Sequence, residues 1–149
     1  MTPNKEDYLK CIYEIGTDMQ KITNKEIATR MQVSPPAVTE MIKRMKSENL
    51  ILKDKENGYL LTDIGLKLVS ELYRKHRLIE VFLVHHLDYT SDQIHEEAEV
   101  LEHTVSDLFV KRLDKLLGFP QTCPHGGTIP AEGELLVDIN NLPLPARQE

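Results

Sequence analysis

At 149 residues, 40% of them hydrophobic, the chain is sized for one ordinary core or two small packed units and has a globular composition. No apolar run approaches the roughly 20 residues that span a membrane, and the charged start MTPNKEDYLK lacks a secretory h-region, so a cytoplasmic protein with no membrane partner is expected. The net charge of -6 argues against wholesale nucleic-acid binding, but it is unevenly spread: residues 1–75 carry 13 Lys+Arg against 11 Asp+Glu, and residues 76–149 carry 5 against 13.

That asymmetry predicts two domains, a basic one able to approach phosphate and an acidic one able to hold a cation. Cys11 and Cys123 are too few for a disulfide framework and are expected as thiols in a reducing compartment.

Within residues 5–17, Tyr8, Leu9, Ile12, Tyr13 and Ile15 recur at helical spacing, predicting an amphipathic helix that ends near Gly16 with Asp7 and Lys10 on its polar side. Thr23-Asn24-Lys25-Glu26 has the S/T-x-x-E form of a capping box and predicts a short helix over 24–31. Ser34 suits the N-cap of a third helix beginning at Pro35, where the missing N–H has no helical partner to lose. Val38, Met41, Ile42 and Met45 are its buried stripe. Two short helices joined by a tight turn fit a helix-turn-helix. The Asn57-Gly58 pair between apolar runs, in Leu50 to Leu61, predicts the hairpin that makes it a winged helix.

Thr62-Asp63 then starts a long helix to about His86. It is polar at first and apolar on two sides through Leu78 to Val84, which suits packing against another helix or another subunit. Ser91-Asp92 starts a helix carrying HEEAEVLEH, and Asp107 to Leu117 completes or follows it. Gly118-Phe119-Pro120 stops the helices, and residues from Thr122 on read as loop or extended chain. The expected fold class is mainly α.

On the third helix, Pro36, Thr39, Glu40 and Lys43 lie opposite the buried stripe, with Ser34 and Pro35 at the start. Ser34 suits a phosphate, Pro36 a thymine methyl, Glu40 the N4 donor of cytosine, and Lys43 or Arg44 a phosphate. Taken alone, Lys43 and Arg44 read more readily as a solvated helix face. The combination of cap, turn, Pro-started helix and wing favours double-stranded DNA over a protein partner.

In HEEAEVLEH, His95, Glu102 and His103 fall within about 60° of Glu99 on a helical wheel, while Ile94, Leu101, Val105 and Leu108 face the other way. Acidic helix faces are commonly just solvated, and Glu97 reads so. Two features favour a site. Like charges at i,i+3 repel by a few tenths of a kcal/mol unless a cation offsets them, and the preceding helix places His76 and Glu80 at i,i+4. Carboxylates with imidazole suit Mn²⁺ or Fe²⁺. Cys123-Pro124-His125 adds a thiol and an imidazole, although a small buried Cys and a surface His fit those residues equally well. HEEAEVLEH lacks H-E-x-x-H because position 99 is Glu, and there is no G-x-S-x-G, Walker or G-x-G-x-x-G motif, so no catalytic residue and no enzyme are expected.

The stretches EDYLKCIYEI, VSPPAVTEMIKRM, LTDIGLKL after the wing, YRKHRLIEVFL and HEEAEVLEH together resemble the diphtheria-toxin-repressor family of metal-activated transcriptional regulators, in particular its manganese-responsive branch. The resemblance implies that Asp7 joins Glu99, Glu102 and His103 in a primary metal site. Iron-responsive members have sulfur ligands at the positions of Asp7 and Glu99, and short two-domain manganese regulators have Glu at that of Lys10. His76, Glu80 and His95 correspond to second-site ligands. Glu80, Cys123 and His125 match an auxiliary site of longer members, which a C-terminal SH3-like domain completes; this sequence is expected to lack that domain.

The implied domains are a winged helix-turn-helix at 1–74, a helical dimerisation and metal-binding domain at 75–140, and a short tail or linker start at 141–149. The implied function is a homodimeric, manganese-activated repressor on a pseudo-palindromic operator, controlling metal uptake. Fe²⁺ and Zn²⁺ are alternative ions, above all at the auxiliary site. The rival readings are a winged-helix interaction or cation-buffering protein without metal-gated DNA binding, and a regulator that answers to a small organic ligand.

Overall fold

The computed structural model describes residues 4–136. The tail expected at 141–149, and 137–140 of the expected second domain, lie outside the described residues. In chain order the elements are α1 (Lys5–Thr17), α2 (Asn24–Met31), α3 (Pro35–Ser47), β1 (Ile51–Asp54), β2 (Gly58–Leu61), α4 (Asp63–Leu87), α5 (Ser91–Glu102) and α6 (Asp107–Leu116). They form two compact units, one running to Val69 and the other beginning at Ser70, so α4 contributes to both. Among the described residues no helix is long and apolar enough to cross a membrane.

In the first unit, side chains set where each helix begins. Asn4 and Asp7 cap α1 reciprocally, each side chain accepting from the other's backbone N–H at 3.1 and 2.9 Å. Thr23 Oγ1 accepts from Glu26 N at 3.0 Å, but the Glu26 carboxylate turns to Arg30 Nε at 2.8 Å instead of back to the cap. A charged partner one turn along the helix outbids a single backbone N–H. Ser34 Oγ accepts from Ala37 N at 3.3 Å, with Pro35 and Pro36 opening α3. The buried stripes of the three helices, Leu9 and Ile12, Ile27, and Val38, Ile42 and Met45, make this unit's core.

The wing is an antiparallel pair with Ile51 opposite Leu61 and Asp54 opposite Gly58. Its turn is built by Asp54 as much as by Asn57-Gly58. The chain reverses over Lys55, Glu56 and Asn57, and Asp54 Oδ2 accepts from the backbone of Asn57 at 2.8 Å, its side-chain amide at 2.8 Å and the backbone of Glu56 at 3.1 Å. These bonds hold the Asp54 carboxyl below its ordinary range. Gly58 takes the positive φ, +83°. The chain before α2 lies against the turn, with Ile22 N donating to Asn57 O at 2.8 Å.

The second unit packs Leu78, Ile79 and Leu83 of α4 against Ile94 and Ala98 of α5 and Val110 and Leu113 of α6, with Cys123 and Ile129 closing the cluster. A buried ion pair, Arg74 Nη2 to Asp114 Oδ2 at 2.8 Å, joins α4 to α6. The HEEAEVLEH helix stops at Glu102, and His103 is its C-cap. Thr104 N and Val105 N both turn back to Leu101 O, at 3.0 and 3.1 Å, and close the end. The helical wheel therefore holds as far as Glu102. Leu108 lies on the next helix and is exposed, not on an apolar face of α5.

From Leu117 to Leu136 the chain is irregular apart from a bridge between Thr122 and Thr128. It runs back along α4, held by Arg77 Nη1 donating to Thr128 O at 2.5 Å and by Leu136 N donating to Ser70 Oγ at 3.0 Å.

Burial pushes the Glu71 carboxyl up, against the pull of Arg74 and Lys75 and with Asp107 and Glu132 adding to the rise. A raised carboxyl pKa disfavours the ionised folded form, so its cost is absent below the ordinary carboxylate value and grows as pH rises through the folded value. Glu71→Gln is accordingly expected to raise Tm at about pH 7.5 and to lose that advantage near pH 4. Thermal melts at the two values check it.

Candidate metal centre and nucleic-acid interface

The helix expected to read DNA is α3. Its N-terminal residues Ser34, Pro35 and Pro36, and Thr39, Glu40, Lys43 and Arg44 farther along, are all exposed, opposite a stripe of wholly buried Val38 and Met45. Thr39 Oγ1 donates to Pro35 O at 3.1 Å, which fixes that hydroxyl over the first turn. The first two residues carry no N–H, so this end of α3 presents short side chains and a proline ring to whatever approaches. α2 and α3 meet through Gln32, in left-handed conformation at φ 55°, which gives the tight turn between them.

The donor cluster of the second unit is built on α4 and α5. His76 and Glu80, one turn apart on α4, are both buried, with His76 Nε2 at 3.1 Å from Glu80 Oε2. The other ring nitrogen, Nδ1, lies 2.5 Å from Glu102 Oε1 and 3.9 Å from Glu99 Oε1. Glu102 is only 1% exposed, an unusual position for a carboxylate. Its Oε2 is 3.8 Å from His103 Nε2. His95, one turn before Glu99 and largely exposed, places Nε2 3.6 Å from Glu99 Oε1, and its ring meets that of His76 edge-on at 5.1 Å. His125 Nδ1 lies 3.6 Å from the same Glu80 oxygen, Oε2.

Donor atoms within 4.8 Å of one another group these residues as His76, Glu99 and Glu102; as His76, Glu80 and His95; and as Glu80, Cys123 and His125. The eight predicted ligands of this unit thus form one continuous cluster. Asp7, the ninth, stands in the first turn of α1, where its carboxylate takes part in the cap.

Burial by itself would raise the Glu80 carboxyl. The hydrogen bond and charge of His76, with His125 and His95 behind it, outweigh that and hold it below the ordinary range. A buried carboxylate that stays ionised is a ready cation ligand. Cys11 is different: burial pushes its thiol up to about 11, with Glu14 and Glu26 adding to the rise and Arg30 opposing it, and it stands in no donor group among the described residues.

Sequence reasoning missed Arg77. Its guanidinium stacks 4.8 Å from the Tyr73 ring centroid and bonds Thr128 O, pinning the loop that carries Cys123 and His125. Only the fold shows this, because the two partners are 51 residues apart.

Two family models match the chain: the N-terminal DNA-binding domain of iron-dependent repressors over residues 1–59, and their metal-binding and dimerisation domain over residues 62–131. The diphtheria toxin repressor of Corynebacterium diphtheriae is 31% identical over 140 residues, covering 94% of this chain and 62% of the relative. The iron-dependent repressor IdeR of Mycobacterium tuberculosis is 34% identical over 130 residues, covering 87% and 56%. Among solved structures, the zinc-bound form of ScaR superimposes with a TM-score of 0.86 at 76% identity, over 91% of this chain and 64% of that one. The manganese regulator SloR does so with 0.81 at 67% identity, over 92% and 64%. The chain therefore spans a little over half to just under two thirds of the length of these proteins. With a DNA-binding and a metal-binding module of one family in consecutive order, the chain belongs to the iron-dependent, or diphtheria-toxin, repressor family.

Proposed function

We propose that the protein is a manganese-activated, DNA-binding repressor that acts as a homodimer on a pseudo-palindromic operator and controls metal-uptake genes. The observation that carries this reading is Glu102, a wholly buried carboxylate among imidazoles and a second carboxylate, in a chain whose α3 exposes every residue expected to meet DNA.

Glu99, Glu102 and His103, with Asp7 added by the family resemblance, are the primary ligands in this reading. The donor chemistry fits: three carboxylates and one imidazole, with no sulfur, suit Mn²⁺ or Fe²⁺. The family's manganese regulators at 67% identity or more support Mn²⁺ as the principal ion. A bound divalent cation supplies the positive charge that lets the carboxylates occupy one place.

The protein's own residues do the rest. Glu99 and Glu102, at i,i+3, repel one another until that charge is offset. A ligand set drawn from α1 and α5 restricts the orientations of the two reading heads, leaving less ordering entropy to be lost on DNA. Such coupling is reciprocal, so operator DNA must tighten metal binding by the same factor. Two-fold symmetry of the dimer makes the operator a pseudo-palindrome.

The deciding experiment titrates MnCl₂ into chelator-treated protein with a random duplex pool at fixed ionic strength, and sequences what is retained. A palindrome enriched only with Mn²⁺ is the expected result. No enrichment with any metal would return the protein to the interaction or cation-buffering reading. On the selected operator, Lys43→Ala or Arg44→Ala should weaken binding to all sequences alike and reduce the salt slope by about one, whereas Glu40→Ala should relax preference at one base position. Binding isotherms over a series of salt concentrations check both.

A further inference from the structure

The second unit offers more donors than one ion needs, and two of its donor groups meet at a single residue. One side of Glu80 holds the imidazoles of His76 and His95, and the other holds the thiol of Cys123 and the imidazole of His125. The two sides share an oxygen, since Oε2 is the atom 3.1 Å from His76 Nε2 and 3.6 Å from His125 Nδ1.

Both sides are in place beforehand. His76 is buried on α4, the same helix as Glu80. The Cys123 loop is closed on itself, with Cys123 N donating to Gly127 O at 2.9 Å and Gly127 N donating to Cys123 Sγ at 3.3 Å. Arg77 holds this loop down, its guanidinium packed so closely that a Cβ on Gly127 would lie 3.0 Å from Cζ. Neither donor pair has to be assembled by an ion. What remains undecided is which pair the Glu80 oxygen serves.

We propose that Glu80 makes these two groups alternative sites, so that this place holds one ion at a time and the chemistry of the ion selects the side. The inference rests on the reading that the second unit binds divalent metal. Two imidazoles and a carboxylate suit Mn²⁺, whereas thiolate, imidazole and carboxylate suit Zn²⁺ or Cd²⁺, the Cys123 proton leaving to solvent as the sulfur binds. A thiophilic ion takes Glu80 away from His76 and leaves that imidazole to Glu99 and Glu102. The same chain can thereby register which class of metal it has met.

The test uses the full chain carrying Asp7→Asn, Glu99→Gln and His103→Ala, which silences the primary site and the His76, Glu99 and Glu102 group with it. Bound Mn²⁺ is read by electron paramagnetic resonance, and Cys123 by alkylation and peptide mass spectrometry. Zn²⁺ is expected to protect Cys123 and to expel Mn²⁺ one for one. His95→Ala, at an exposed position, should weaken Mn²⁺ retention about tenfold or more and leave Zn²⁺ protection of the thiol unchanged. Cys123→Ser should abolish the expulsion, and the near-isosteric Glu80→Gln should weaken both ions.

Retention of Mn²⁺ and Zn²⁺ together would overturn the proposal, because the carboxylate would then bridge two ions. So would a Glu80→Gln effect on one ion only, or no retention of either ion. Mn²⁺-dependent DNA retention by the unaltered chain is measured in parallel. If it persists while the competition fails, only the alternation is lost; if both fail, the metal-regulator reading goes with it.

Discussion

Glu102→Ala is expected to be the most damaging single change in the second unit, and to damage it twice. The side chain is 1% exposed and lies 2.5 Å from His76 Nδ1, so its removal leaves a buried imidazole facing a void where its partner was. Breaking a buried pair from one side costs about 3–5 kcal/mol, a large part of the 5–15 kcal/mol that holds a typical domain together. Glu102→Gln keeps the volume and a hydrogen-bond acceptor but not the charge, and so separates the two effects. It should melt close to the unaltered protein in chelator. It should also lose most of the stabilisation that Mn²⁺ confers, which for one site at a hundred times its Kd is about 2.7 kcal/mol. Melts of both variants with chelator and with Mn²⁺ decide the matter. A Glu102→Gln protein that Mn²⁺ still stabilises in full would remove Glu102 from the ligand set.

The second large effect lies in the wing and involves no ligand. Gly58 has φ +83°, and a Cβ there would stand 1.9 Å from Ile22 O and 2.8 Å from the Ile22 carbonyl carbon. Both are backbone atoms, so no rotamer change relieves the clash. The left-handed conformation alone costs a residue with a side chain about 1–2 kcal/mol, and pushing the wing away breaks the bond from Ile22 N to Asn57 O, worth about 1 kcal/mol more. Gly58→Ala should therefore lower the Tm of the first unit by several degrees and weaken operator binding, while Mn²⁺ binding by the second unit stays intact. Loss of DNA binding with an unchanged melt would mean that the turn contacts DNA directly and that packing is not at stake.

Much of the first unit is legible from local signals. Thr23, Ser34 and Pro35 mark helix starts because a cap acts within three residues of itself, and the starts at 24 and 35 follow from them. Local signals also mislead when a competitor sits nearby. Glu26 follows Arg30 rather than the cap, and the turn of the wing depends on Asp54, three residues before the Asn-Gly pair that advertises it. In the second unit, periodicity found the donor-bearing face but not its end. Nothing in Thr104-Val105 forbids a helix, so the wheel ran on to Leu108, which belongs to α6.

Burial of Glu102 was equally hidden, since an acidic residue on a helix reads as solvated until its neighbours are known. Long-range pins such as Arg77 to Thr128 leave no trace in any short window.

The end of α5 bears on how fast an ion is exchanged, as distinct from how tightly it is held. Glu102 is the last residue of the helix and lies in the core, while His103 is the cap, only partly covered, at a terminus of the kind that opens at little free-energy cost. Fraying of this end withdraws the imidazole without disturbing the carboxylate beneath it. In the proposed site an ion would then depart one donor at a time, with His103 setting the pace and Glu102 the equilibrium. A regulator so arranged combines a firm threshold with a quick response when the supply of metal falls.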